Sequence, residues 1–242
     1  MQTFNNVDGV RIPLNTEWKN IAISVSGGAD SALLAYLLCS LVTYQTVHII
    51  SHKRMWKTRP WQSYDSLNVY NWLLQRFPNI RFVRHTNFIA PELEYGNMGP
   101  NLTDEYDKKV SGDNIQQRAY AEFVCYNNDV DAYFNAVTRN PRLALFNGMR
   151  ERDIESSEQN KHLEYMIHMG KIASHPFRFV DKAWVLKQYK QLDIMDLFNI
   201  TRSCEGEFEG IDYITYKLGQ FVPICNECFW CKERAWAIDQ ND

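Results

Sequence analysis

The sequence predicts an α/β fold built on a largely parallel sheet, followed by a helical region that carries a cysteine cluster. Three observations predict it. Short apolar runs of strand length alternate with segments of helical period over most of the chain. The first of these runs, Ile21-Ala22-Ile23-Ser24-Val25, leads straight into a Ser/Gly turn and an apolar helix. Beyond Pro176 the strand signal fades, and cysteines gather towards Cys231. Strands that alternate with helices of this length form βαβ units, whose sheet is parallel.

Taken in order, Ile21 to Val25 reads as a buried strand and Asp30 to about Tyr44 as a mostly apolar helix. Val47 to Ile50 is a second short strand, and Ser66 to Phe77 a helix closed by Pro78. Ile80 to Val83 is a third strand, followed by a Gly/Pro/Asn-rich loop from Pro91 to Gly112. Asn114 to about Val137 carries helical period through Ile115, Ala119, Phe123, Val130, Phe134 and Val137. Leu143 to Phe146 is a fourth strand, ending at Asn147-Gly148. Loops after Val25, Ile50, Val83 and Phe146 then share one rim, and ligands of such sheets bind at the carboxyl ends of the strands. A helix from about Asp181 to Gln191 leads into the cysteine tail, with a weak strand signal around Tyr213 to Tyr216. This divides the chain into an α/β domain over 18–175 and a helical region over 176–242 packed on it.

The 242 residues can bury a sizeable core, and a net charge of -3 offers long nucleic acids or anionic membranes no general attraction. A local basic patch for nucleic acid stays open. No run of eighteen apolar residues occurs, and the N-terminus lacks a basic stretch followed by an apolar one. A soluble, cytoplasmic protein with no membrane segment is the expectation.

Ser26-Gly27-Gly28-Ala29-Asp30-Ser31 is the most informative string. Glycines allow a tight turn and close approach of an anion, and turn N–H groups converge there with a helix N-terminus. The serine hydroxyls can donate to phosphate oxygens, while Asp30 can cap the helix or help hold Mg²⁺ beside the phosphates. The plainer alternative is a turn with a helix cap and no ligand. No Gly-Lys-Ser/Thr follows, so this is not a Walker A loop.

Cys225, Cys228 and Cys231 repeat at i, i+3 and i+6, and Cys204 can fold back as a fourth thiolate. Four thiolates suit tetrahedral Zn²⁺ in a closed structural site, with an iron–sulfur cluster the lesser alternative. Cys39 and Cys125 stand singly in helical patterns and read as buried small hydrophobes.

The turn resembles the Ser-Gly-Gly-x-Asp-Ser signature of the PP-loop ATP pyrophosphatases, a Rossmann-like (adenine nucleotide alpha hydrolase-like) family. The resemblance implies adenylation of a carbonyl or carboxyl oxygen, release of pyrophosphate, and displacement of AMP by ammonia or sulfur. The later motifs are most similar to the 7-cyano-7-deazaguanine (preQ0) synthases, QueC. These motifs are Pro176 to Lys182, Thr201-Arg202-Ser203-Cys204, and Cys225 to Cys231 with Arg234 beyond. Carried over, Ser26, Gly27, Gly28, Asp30 and Ser31 bind ATP, with Ser24, His48 and Gly148 completing the nucleotide set. Asp30, Ser31 and Lys182 act on the phosphates, and the four cysteines hold zinc. The partners implied are ammonia and a deazapurine-like carboxylic acid, taken through an amide to a nitrile, and a homodimer is compatible with this reading.

The chain departs from the family on the acceptor side. Ser51 to Lys57 replaces the Tyr-Gly-Gln string after the second strand, and Arg150 to Gln159 replaces the Asp-Cys-Arg-Pro-Glu-Phe segment. A different acid therefore stays open, as does a sulfurtransferase that modifies RNA. Lys53, Arg54 and Trp56, in a basic loop after the second strand, could stack a purine and neutralise a carboxylate. Arg150 and Asp153 form a second candidate pair, Arg202 a third contact, and His175 a rim residue.

Overall fold

Asp8 and Gly9 turn the chain back on itself at the outset, both in the left-handed region with φ of 45° and 87°. That is the backbone a two-residue hairpin needs. It joins β1 (Gln2–Val7) to β2 (Val10–Asn15) in an antiparallel hairpin absent from the expectations above. Val10, Ile12 and Leu14 of β2 are buried in the main core.

The computed structural model describes residues 2–54, 61–89, 112–139, 141, 172–204 and 224–242. Its centre is a parallel sheet of β3 (Asn20–Ser24), β4 (Thr46–Arg54), β5 (Phe82–Ile89), β6 (Ala132–Phe134) and β7 (Ile172–Ser174). Their order is β5-β4-β3-β6-β7, with every pairing parallel. Side chains alternate across this sheet. Ile21 and Ile23, level with Val47 and Ile49, enter the main core, whereas Ala22 and Ile50 face a second cluster on the other side.

Helices cover both faces. α1 (Ala29–Leu41) is so apolar that Leu33, Leu34, Leu37 and Leu38 are all buried, each worth about 2 kcal/mol. It packs in the main core with α2 (Gln62–Arg76), whose buried stripe includes Val69 and Leu73. α3 (Gly112–Asn127) covers the opposite face through Ala121, Val124 and Cys125. α4 (Lys182–Gln191), capped by Asp181 on the Trp184 N–H, lies against α1, followed by α5 (Met195–Asn199). α6 (Phe229–Asp239) packs on α4. Among the described residues no helix is long and apolar enough to cross a membrane.

Two expectations need correcting. The helix expected to run to Val137 stops at Asn127, and Ala132–Phe134 is a strand. Asn127 and Asn128 turn their side-chain amides onto the carbonyls of Phe123 and Val124, and Asp129 adopts a φ of 47°. Such side-chain bonds compete with the helical ladder. Asp131 then accepts from the N–H groups of Lys19 and Asn20 at 2.7 and 3.0 Å, setting β6 beside β3. The second correction concerns Lys53 and Arg54, which belong to β4 rather than to a loop, paired with Phe88 and Ile89 of β5. The strand expected at Leu143–Phe146 lies outside the described residues, as do the Tyr213–Tyr216 signal and the segment before Ile224.

Candidate functional site

The Ser26–Ser31 turn lies at the carboxyl end of β3, the central strand. Gly27 has a φ of 81°, and a Cβ there would come within 2.5 Å of Asp65 Cβ and 2.7 Å of the Ser66 N. The turn therefore rests directly on the first turn of α2. The Arg202 N–H donates to the Gly27 carbonyl at 2.9 Å, bracing it from the other side. Two hydroxyls knit the turn internally. Ser31 Oγ accepts from the Ser26 N–H at 3.1 Å and donates to the Gly28 carbonyl, while Ser26 Oγ accepts from the Gly28 N–H. No side chain caps α1 at Gly28, so its first N–H groups keep their capacity for an anion.

Asp30 does not cap the helix. Its Oδ2 accepts from Lys182 Nζ at 2.5 Å and from Thr138 Oγ1 at 3.4 Å, while its Oδ1 is buried with no hydrogen-bond partner among the described residues. Lys182, first residue of α4, is only 2% exposed, and its ammonium also lies 3.9 Å from Oε2 of the fully buried Glu233 on α6. A buried carboxylate oxygen without a hydrogen-bond partner among the described residues, beside an uncapped helix N-terminus, suits a hard cation such as Mg²⁺.

A cleft of about 400 Å³ opens beside the turn, between the carboxyl ends of β3 and β6. This is the point where the strand order reverses, with β4 and β5 on one side and β6 and β7 on the other. Ligands of open α/β sheets bind in this crevice. Ser24, Val25, Ser26, Gly28, Asp30 and Ser31 form its floor, and α3 supplies Gln117, Arg118, Ala121, Glu122, Cys125 and Tyr126 as a wall. Tyr133, Asn135, His52 and His175 add polar groups. Tyr133 shares a 2.7 Å hydrogen bond with Ser24, and burial pushes its phenol up to about 12. Burial also lowers the pKa of His175, keeping its imidazole neutral near pH 7.

On the far side of the turn stands the cysteine cluster. The sulfurs of Cys204, Cys225, Cys228 and Cys231 all lie within 4.8 Å of one another, Cys204–Cys225 at 3.5 Å and Cys225–Cys231 at 3.8 Å. A tetrahedral ion bound at about 2.3 Å sets its sulfurs roughly 3.8 Å apart, so the set fits one metal ion. A four-iron cluster interposes iron and sulfide between the thiolates and needs wider spacing. Trp61, just before α2, packs on this cluster, and the Arg202 guanidinium lies 4.1 Å above its ring.

The fold thus brings Ser24, Ser26, Gly28, Asp30 and Ser31 to one cleft, with Lys182 behind Asp30 and Gly27 at the base of the turn. The four cysteines converge separately. His48 does not line the cleft. It is buried in mid-β4, with Nδ1 2.9 Å from His85 Nε2, and burial lowers its pKa to about 4. Lys53 points its ammonium at the Phe88 ring, 5.0 Å away, and Arg202 faces Trp61 and Asp65 rather than the cleft. Trp56, Gly148, Arg150 and Asp153 lie outside the described residues. Sequence reasoning missed Gln62, Asp65, Tyr133, Asn135, Glu233 and the α3 wall. Nothing in the sequence could have pointed to Gln62 and Asp65, which read as a polar first helical turn and are buried only in the fold.

No family model matches the sequence, and no curated protein matches it. Solved structures with a similar chain path include the U34-tRNA thiolase NcsA from Methanococcus maripaludis with its [4Fe-4S] cluster. Identity there is 13% and the TM-score 0.44, over 91% of this chain and 64% of that one, so the chain spans less than two thirds of the thiolase. The NMN synthetase from Francisella tularensis gives 15% and 0.45, over 93% of this chain and 86% of that one. The phosphoadenylyl-sulfate reductase from Candida auris, in its phosphate complex, gives 12% and 0.42, over 80% and 84%. At these TM-scores none of the three carries a function over to this chain.

Proposed function

We propose that this chain is a PP-loop ATP pyrophosphatase that adenylates a carboxylate and passes the acyl group to ammonia. The supporting observation is the Asp30–Lys182 pair, held at the mouth of an uncapped helix N-terminus beside the switch-point cleft. The turn would hold the pyrophosphate end of ATP, with Mg²⁺ on the vacant Asp30 oxygen. Such donors offset the charge that accumulates as the α-phosphate changes partners. A carboxylate oxygen attacks the α-phosphorus and pyrophosphate leaves. Ammonia then attacks the acyl carbon, a proton is lost, and AMP departs to leave an amide.

The acceptor we favour is a 7-carboxy-7-deazaguanine-like acid. A second adenylation, on the amide oxygen, would let that oxygen leave with AMP and give the nitrile. An apolar cleft of this size with a few polar groups accommodates one flat heterocycle. To the four cysteines we assign zinc, in a structural role, because their sulfur spacing matches a single tetrahedral ion.

The test supplies the protein with ATP, Mg²⁺, ammonia and 7-carboxy-7-deazaguanine, and follows nucleotide products and acceptor mass. AMP and pyrophosphate with a nitrogen-containing product are expected. ADP and phosphate would overturn α-phosphate chemistry, and a sulfur-bearing product from a sulfide donor would replace ammonia transfer by thiolation. Purified protein that is folded without metal would remove the zinc assignment.

A further inference from the structure

We propose that Glu233 is a positioning residue that receives the Lys182 ammonium when Asp30 takes up a divalent cation. The proposal rests on the nucleotide reading above. As it stands, Lys182 Nζ is 2.5 Å from Asp30 Oδ2 and 3.9 Å from Glu233 Oε2. The first is a hydrogen-bonded ion pair, and the second is too long for a hydrogen bond.

Asp30 has one oxygen committed to Lys182 and the other buried without a partner. A cation bound there brings a second positive charge to a carboxylate already shared with an ammonium, and the two repel strongly at low dielectric. The ammonium cannot retreat to water, because Lys182 is 2% exposed and must be compensated inside the protein. Glu233, with no exposed surface, is a second carboxylate within reach among the described residues. Rotation of the four-carbon lysine stem by roughly 1 Å closes the gap without moving the backbone.

The geometry also says which partner is fixed. Glu233 sits on α6 two positions after Cys231. Its neighbour Arg234 donates to Thr201 Oγ1 and to the Phe198 carbonyl, both at 2.9 Å, and stacks on the Phe198 ring. The helix carrying Glu233 is therefore anchored to the segment that leads into Cys204. The lysine moves between two carboxylates, one on the phosphate turn and one on the cysteine-bearing helix. Glu233 in this role touches neither nucleotide nor reacting atoms.

The test measures binding of an α,β-methylene ATP analogue by calorimetry across a Mg²⁺ titration, using full-length chain whose metal content has been verified. For Glu233→Gln the Mg²⁺ concentration giving half-maximal binding should rise roughly fivefold or more, with metal-free binding unchanged or tighter. In a Lys182→Met background the same substitution should leave the Mg²⁺ midpoint where it was, since Glu233 acts only through the lysine. An equal loss of affinity with and without Mg²⁺, or the same shift in both backgrounds, would overturn the proposal. Should Glu233→Gln not fold, Glu233→Asp gives the same comparison, with a smaller midpoint shift expected and no shift overturning the proposal. A wild-type chain that binds no Mg²⁺–nucleotide would instead sink the nucleotide reading, and this inference with it.

Discussion

The indole N–H of Trp61 donates to the carbonyl of Cys204 at 3.0 Å. One bond therefore joins the start of α2 to the first thiol of the cysteine cluster. Trp61 is 2% exposed and packs on Cys204 and Cys231, with Cys225 and Cys228 at its edge. The helix it precedes supports Gly27 from below. Cysteine cluster and glycine turn thus share a wall.

Trp61→Phe keeps most of that apolar contact and removes the donor. We expect a loss of about 1 kcal/mol in the metal-loaded chain, against about 4 kcal/mol for Trp61→Ala. Denaturant unfolding of the two variants checks it. Equal losses would mean that the bond contributes nothing beyond packing.

Gly27 and Gly28 should behave differently. Gly27→Ala meets both a φ of 81° and a contact of 2.5 Å with Asp65 Cβ. It should cost more than about 1 kcal/mol and abolish nucleotide binding. An added Cβ at Gly28 meets nothing closer than 3.4 Å, from Ser26 Oγ, so Gly28→Ala should fold almost normally. Calorimetric binding and thermal unfolding of both proteins decide the matter.

Lys182→Met leaves the Asp30 carboxylate without its counter-ion in a site where the two side chains are 3% and 19% exposed. Breaking such a pair costs about 3 kcal/mol. Asp30→Asn should cost a similar amount, and the double variant less than the sum. Asp30→Ala is accordingly expected to lose stability as well as product formation. Strict additivity in denaturation would show that the two residues do not act as a pair.

Burial pushes the Asp65 carboxyl up to about 7, with Arg202 pulling it the other way. The folded chain therefore holds this proton more tightly than the unfolded chain, whose aspartate titrates near 4. The associated stability is fully present below about pH 4 and is lost as the pH rises to about 7, after which it stays flat. Asp65→Asn removes this slope. Relative to wild type it should gain up to about 4 kcal/mol at pH 8 and nothing near pH 4. Denaturation at both ends of the window measures it, and a constant difference would refute the assignment.

The glycine turn and the convergence of the cysteines were legible because their residues sit in short strings of fixed spacing. Lys182 was reached through resemblance alone, since its contact with Asp30 spans 152 residues and is made by α1 packing on α4. β6 was hidden for a different reason. Val130, Phe134 and Val137 fall at helical spacing, and the parallel partner β3 overrides that local period. The Asp8-Gly9 hairpin carried a readable signal that went unused. Asp65 carried none, because a polar first helical turn looks solvated until Gly27 is set against it. Lys53 and Arg54 read as loop because the apolar run of β4 ends at Ile50, yet the strand continues to pair with β5 as far as Phe88 and Ile89.

The backbone bond from Arg202 to Gly27 has a bearing on the order of synthesis. A ribosome delivers the Ser26–Ser31 turn well before the residue that braces it. All five strands of the sheet precede Arg202 in the chain, as do the walls of the cleft. A nascent chain that has reached Ser174 can hold every described strand of the sheet while its turn still lacks the brace from Arg202 and the ion pair with Lys182. Maturation of the pocket is thereby timed to the emergence of the C-terminal region, and a chain cut short before it would carry the signature string without the finished cradle.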